Sequence, residues 1–555
     1  MLSTMQDVPL TVSRILRHGS TVHSGSYVTT WTGVPGQAPA KRTFGEVGAR
    51  SAQLAQALRD ELGVAGDQRV ATLMWNNSDH MEAYLAIPAM GAVLHTLNLR
   101  LPAEQLVWII NHATDRVVIV NGSLVPLLAP LLPKLASVEH VVVSGPGDRA
   151  PLEGSSGGRI RVHDYEDLIA GRPTDFDWPE VDERDAAALC YTSGTTGDPK
   201  GVVYSHRSIY LHSLQVNSAE AFGLGSRDTL LPVVPMFHVN AWGTPHAAFM
   251  AGASLLMPDR FLQPAPLAEM IESERPTIAG AVPTIFQGLL AELDATKRDV
   301  SSLRCVIIGG AACPPALMKG FEERHGLHVV HAWGMTETSP LGCVSHPPAG
   351  AGAEEAWSYR VTQGRFPASV EARLAAPGGG FLPWDGASAG ELEVRGPWIA
   401  GAYYGGAGAE PLRPEDKFTE DGWLRTGDVG TISPDGYLTL TDRAKDVIKS
   451  GGEWISSVEL ENQLMAHPDV AEAAVVAVPD EKWGERPLAT VVLREGATAG
   501  YEELKGFLAE RVARWQLPER WALIPSVPKT SVGKFDKKVI RKQYADGELE
   551  VTRVD

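Results

Sequence analysis

The chain has 555 residues, more than one folding unit ordinarily holds, so two to four units are expected. Its 44% hydrophobic and 21% charged residues are the composition of a globular protein with a sizeable core. The 49 Lys+Arg against 67 Asp+Glu leave a formal charge of −18, which argues against nucleic acid or an anionic membrane as main partner, both being polyanions.

Cys190, Cys305, Cys313 and Cys343 form no C-x-x-C pair, so neither a disulfide framework nor a zinc site is indicated. Met1 to His18 holds no continuous apolar run of the kind a signal peptide needs. The most apolar stretch, Leu124 to Leu135, carries three prolines and is too short to span a bilayer. A cytoplasmic protein without an integral membrane segment is expected.

In chain order, amphipathic helices are predicted at Phe44–Leu62, Met81–Gly91, Ala103–Ala113, Ala265–Ser273 and Pro314–Arg324. Between them, apolar β-branched runs at Val70–Met74, Val117–Val120, Val138–Val143, Ala253–Met257 and Cys305–Ile308 read as buried strands. The alternation predicts an α/β fold with layered, largely parallel sheets. From about Gly390 the pattern changes to short strands and turns, a β-rich subdomain with strands at Glu391–Arg395 and Tyr437–Leu440. The charged stretch Asp442-Arg443-Ala444-Lys445-Asp446 then precedes a compact α+β tail. The expected division is a large N-terminal domain over 1–442, a hinge over 443–449 and a small mobile C-terminal domain over 450–555.

After the apolar run ending at Cys190-Tyr191 comes Thr192-Ser193-Gly194-Thr195-Thr196-Gly197-Asp198-Pro199-Lys200-Gly201. Glycines let backbone amides approach an anion, hydroxyls add donors and Lys200 supplies charge, which together make a phosphate cradle. No G-x-x-x-x-G-K-[ST] pattern fits it, so it is not a Walker A loop. Two other patterns are set aside. Gly386-Ala387-Ser388-Ala389-Gly390 fits G-x-S-x-G but lies before a strand rather than between strand and helix, and His238 and His246 have no third metal ligand.

The phosphate segment resembles the signature of the adenylate-forming superfamily of acyl-CoA synthetases, adenylation domains and luciferases. Further motifs of that family follow in order: Gly309-Gly310-Ala311-Ala312, Trp333-Gly334-Met335-Thr336-Glu337, Thr426-Gly427-Asp428, the hinge stretch, Ser450-Gly451-Gly452-Glu453-Trp454-Ile455 and Ser531-Val532-Gly533-Lys534. The resemblance spans Thr43 to about Arg541 and is nearest to bacterial medium- and long-chain fatty acyl-CoA synthetases. It implies a fatty acid–CoA ligase working in two steps, through an acyl-adenylate to a thioester, with ATP and CoA as co-substrates and Mg2+ as cofactor. A shorter or functionalised acid, such as an alkylthio-propionate, is the alternative. About twenty residues follow Lys534, too few for a carrier domain, so free CoA is the expected acceptor, with an adenylating enzyme that loads a carrier protein as a further alternative.

The resemblance also implies roles. ATP and AMP would contact Thr192, Ser193, Gly194, Thr195, Thr196, Gly197, Gly310, Ala311, Ala312, Trp333, Gly334, Met335, Thr336, Asp428, Arg443 and Trp454. Asp428 would hold the ribose with Arg443 beside it. Trp333 stands where many relatives have tyrosine, and either can stack on adenine. Glu337, with Thr195, would bind magnesium, an anionic oxygen suiting a hard cation. Lys534 would bridge the carboxylate and the α-phosphate, with Lys200 at the phosphates. After a turn about Lys445, Lys449 would face the site, and Ser450, Gly451 and Gly452 would line the CoA passage. His238, Trp242 and Val282 would form the acyl pocket, and a homodimer is the implied assembly.

Overall fold

The computed structural model describes residues 1–555 except 2, 35, 193–197, 451, 452, 531, 532 and 555. Among the described residues, strands assemble into sheets of seven, fourteen and six. The seven-stranded sheet runs, in spatial order, Arg161–Asp164, His140–Ser144, Val117–Asn121, Arg69–Leu73, Val93–Thr96, Ala186–Tyr191 and Gly201–Ser205. All neighbours are parallel except the last pair, an antiparallel hairpin. Its central strands are buried along nearly their whole length, which is why they read as continuous apolar runs instead of alternating ones.

Helices cover both faces as the periodicity predicts. Phe44–Gln56 opens with a capping box in which Thr43 and Glu46 satisfy each other's backbone amides, and it ends in a π turn, Ala57–Glu61. Ser78–Ala89 is buried at every position but Asp79, so no continuous polar face survives in its sequence.

The second sheet departs from expectation. The β-rich part does not begin near Gly390. It begins at Leu341–Val344, which turns back on Val329–Gly334 and continues the second parallel sheet, so parallel and antiparallel halves make one fourteen-stranded surface. The sequence conceals this because the intervening strand Gly364–Arg365 is only two residues long. The small sheet holds Ile448–Ser450, Glu453–Ile455, Val470–Asp480, Gly484–Leu493, Arg520–Leu523 and Thr552–Arg553, flanked by the helices Ser457–Met465, Tyr501–Ala509 and Lys537–Ala545. The chain leaves the large sheet at the end of Tyr437–Arg443 and enters the small one at Ile448, so residues 444–447 link the two sheets.

The four cysteines are buried and free, and burial pushes the Cys190 and Cys305 thiols up to about 11. No helix among the described residues is long and apolar enough to cross a membrane. Ser388 is bonded to Asp385 in an exposed turn, which rules out the arrangement of a nucleophile elbow.

Candidate active site

Motifs well separated in sequence become neighbours at the carboxyl ends of adjacent parallel strands, where open α/β sheets place their ligands. Thr229–Pro232, Ile278–Ala281, Cys305–Gly309 and Val329–Gly334 lie side by side in that order. They deliver, respectively, the segment 233–242, the segment beginning at Val282, the turn Gly310-Ala311-Ala312, and Trp333 to Glu337. The seven-stranded sheet contributes the phosphate segment from its edge hairpin. Thr192 N donates to Lys200 O (2.9 Å) and Lys200 N to Thr192 Oγ1 (3.1 Å), closing the roots of the loop. Ser193, Gly194, Thr195, Thr196 and Gly197, where the loop itself was expected, lie outside the described residues.

These elements enclose a cleft of about 340 Å³ lined by Thr192, Lys200, His238, Trp242, Gly310, Trp333, Met335, Thr336, Glu337, Arg443 and Lys534, among others. An adjoining cavity of about 220 Å³ runs past Gly310, Ala311, Ala312, Trp333 and Asp428. Gly334 is required here, because a Cβ would sit 1.9 Å from Pro340 O.

On one wall, Trp333 Nε1 donates to Asp428 Oδ2 (2.8 Å) and Arg443 Nε pairs with Asp428 Oδ1 (2.6 Å). Asp428 and Arg443 face each other across the antiparallel strands Leu424–Ile432 and Tyr437–Arg443, so the pairing is set by register. Tryptophan at position 333 is therefore more than an aromatic surface, since its N–H fixes the carboxylate beside it.

Glu337 is buried, its Oε1 accepting from Tyr403 OH at 2.7 Å, and among the described residues no ion pair engages it. Lys200 Nζ lies over the Tyr403 ring, 5.0 Å from its centroid. Tyr204 OH donates to Thr336 O at 2.8 Å. Tyr403, Tyr204 and the cleft-lining Lys417 were not picked out from sequence. The glycine-flanked pair Tyr403-Tyr404 was the available signal.

Lys534 enters the same cleft from the small sheet's side. Burial, with the nearby Arg443 charge, pushes its ammonium down to about 8, against the opposing pull of Asp428 and Glu337. Its stem passes over Gly310, where an added Cβ would lie 3.9 Å from Lys534 Cε. Val282, expected in the acyl pocket, packs between Gly310 and Gly533.

The wall opposite the nucleotide motifs is apolar and strained. Val239, Asn240, Ala241 and Trp242 all have positive φ, from 47° to 60°, a left-handed turn without a glycine. Each such residue costs about 1–2 kcal/mol, so the surroundings must hold it. Asn240 Oδ1 accepts from Tyr84 OH (3.1 Å) and from Cys190 Sγ (3.3 Å), and Thr244 Oγ1 donates to Ala241 O (2.6 Å). The turn lays the Trp242 indole across Gly280 and Gly309, where added Cβ atoms would lie 3.7 and 3.4 Å from it. Burial drives His238 down to about 3, with Lys534 and Arg100 adding to the shift, so the imidazole is neutral.

The structure does not bring Lys449 and Ser450 to this cleft. Lys449 is exposed on a strand of the small sheet, its N–H bonded to Glu485, and Ser450 Oγ accepts from Arg486 (3.1 Å). Trp454 lies in the neighbouring strand Glu453–Ile455, and Gly451 and Gly452 lie outside the described residues. Lys445 lines the main cleft within the link between the sheets. No group of three or more metal-ligating side chains occurs among the described residues.

Comparison with known proteins agrees with this layout. Residues 27–404 match the family described as AMP-binding enzyme, and 459–534 match the AMP-binding enzyme C-terminal domain. The 3-methylmercaptopropionyl-CoA ligase of Ruegeria pomeroyi is 43% identical, the match covering 98% of this chain and 99% of that one. The medium-chain-fatty-acid–CoA ligase of Ectopseudomonas oleovorans is 41% identical over 98% of each. The crystal structure of the anthranilate CoA ligase AuaEII with anthranoyl-AMP superposes with a TM-score of 0.85 at 26% identity, covering 98% of this chain and 100% of that one. The cleft, the order of its motifs and these matches lead to one assignment: the chain belongs to the AMP-binding enzyme family.

Proposed function

We propose that the acid activated by this AMP-forming acid–CoA ligase is a fatty acid of medium or long chain. The observation that carries this is the buried apolar wall of the cleft at Trp242, Val239, Phe222 and Leu341, which suits an alkyl tail better than a polar or charged one. The Ruegeria relative keeps a second reading in play, a short alkylthio-propionate, whose thioether is equally apolar.

In the first half-reaction a carboxylate oxygen attacks the α-phosphorus of ATP, the bond to the β-phosphate oxygen breaks, and pyrophosphate leaves. Lys534 lies between the two anions, where its ammonium offsets the charge that builds on the pentacovalent phosphorus. Lys200 serves the outer phosphates. Asp428, held by Trp333 and Arg443, accepts the ribose hydroxyls, and the adenine lies against Gly310-Ala311-Ala312. Glu337 fits a hard divalent cation, being a buried carboxylate with one oxygen fixed by Tyr403 and no ion-pair partner among the described residues. With Thr195 it would hold magnesium, which when bound neutralises phosphate charge.

In the second half-reaction the CoA sulfur attacks the acyl carbon, its proton passes to solvent, and AMP departs with the former carboxylate oxygen. The small domain would turn about Lys445 to exchange Lys534 for the face bearing Lys449 and Ser450.

CoA-dependent pyrophosphate release across acids from acetate to palmitate, with 3-(methylthio)propionate, benzoate and amino acids, tests the substrate. A maximum at six carbons or more is expected. Trp242→Ala should shift that maximum while the ATP KM stays within about twofold, and preference for an amino acid would overturn the reading.

A further inference from the structure

We infer that Thr284 and Gln287 are positioning residues that dock the small domain and hold Lys534 over the α-phosphate site; this rests on the reading of Lys534 given above. Both lie on the first turns of the helix Pro283–Thr296, three residues apart and hence on one face. Thr284 Oγ1 donates to Gly533 O at 3.2 Å, the carbonyl next to Lys534. Gln287 Nε2 donates to Ala471 O. Ala471 sits where the ladder of Val470–Asp480 against Gly484–Leu493 shifts register, a bulge that leaves this residue out of the pairing and turns its carbonyl outward.

The two bonds share a design. Each donor is a side chain on the large domain, and each acceptor is a backbone oxygen of the small one. Holding Gly533 O holds the lysine, because Thr530 N donates to Lys534 O (2.7 Å) and Lys534 N to Thr530 Oγ1 (3.2 Å), which ties position 534 to its own turn. Contact is also close. A Cβ at Gly533 would lie 3.3 Å from Thr284 Oγ1 and 3.7 Å from Val282 Cγ2, so a bare Gly533 lets the turn seat on this helix start. Both bonds must break when the small domain turns away, and neither belongs to the reacting groups. Their contribution is specific to one pose, so they favour adenylation and oppose the departure that thioester formation requires.

The test measures the two half-reactions separately in Thr284→Val, Gln287→Ala and the double variant. Adenylation is read as pyrophosphate release in a single turnover without CoA, and thioester formation as acyl-AMP plus CoA supplied directly. Each single variant should slow adenylation by roughly three- to tenfold, the contribution of one neutral hydrogen bond, and the double variant should lose more than either. Thioester formation from acyl-AMP should be unchanged or faster, which also reports that the variants are folded. Thr284→Ser, keeping the hydroxyl, should restore adenylation. The inference is overturned by wild-type adenylation in the double variant, by equal loss in both half-reactions, or by a loss confined to ATP affinity. That last outcome would make the pair a wall of the nucleotide cavity it borders. If Lys534→Ala itself left adenylation intact, the reading of the lysine would fall first, so the two failures are distinguishable.

Discussion

Two lysines of the small domain invite comparison. Lys534 ends a tight turn inside the cleft, among Asp428, Glu337 and Arg443, and its ammonium is pushed down to about 8 by burial. Lys449 lies in a three-residue strand, exposed to solvent and away from that cleft. Of these two cations, one thus lines the cleft and the other faces solvent. A lysine's sequence surroundings alone do not tell which is which. In the proposed mechanism a rotation at the link 444–447, which precedes both lysines, would exchange which of them meets the cleft without disturbing either sheet.

The comparison breaks most sharply at Lys534→Ala. Adenylation should fall by about 10²-fold or more, the usual cost of losing a preorganised contact to developing charge. Conversion of supplied acyl-AMP and CoA to thioester should survive; equal damage to both steps would refute the two-face reading. A pH profile sharpens it next. The free enzyme's Lys534 must be protonated to act, so kcat/KM for adenylation should be level below pH 8 and fall about tenfold per unit above it. Lys534→Arg should keep its charge and remove that alkaline limb, and a limb that persists would belong to another group. Lys445→Pro, which fixes φ within the link, should leave adenylation near normal and slow thioester formation by about tenfold. The smallest effect belongs to Lys449→Ala, about threefold on thioester formation and none on pyrophosphate release.

The sequence carried much of this because strand runs and motif order are local signals. Val117–Asn121 and Cys305–Gly309 announce themselves by buried β-branched residues, and Thr43 with Glu46 marks a helix start. The motif residues Trp333, Glu337 and Lys534 line one cleft, and Asp428 lines the cavity that adjoins it. What stayed hidden depends on partners distant in sequence. Tyr403 matters only because Glu337 lies 66 positions earlier against its hydroxyl. The left-handed turn at Val239–Trp242 contradicts local preference and exists because Tyr84, Cys190 and Thr244 hold it. The joining of the β-rich half to the parallel sheet at Leu341–Val344 is likewise a pairing, which no single stretch encodes.

Asp428 and Arg443 face each other on paired strands, and Arg443 is the last residue before the link to the small domain. In the proposed mechanism a nucleotide that takes up the oxygens of Asp428 would therefore pull on the residue next to the link. Ribose occupancy and domain pose become two readings of one equilibrium. By thermodynamic reciprocity, whatever factor the pose imposes on nucleotide affinity, the nucleotide imposes on the pose. If AMP shifts the wild-type pose equilibrium, calorimetric AMP affinity should differ between the wild type and a Lys445→Pro variant whose pose populations are altered. In the proposed cycle no separate sensor of reaction progress is needed, because the nucleotide that must finally leave would bear on the residue pair at the head of the link.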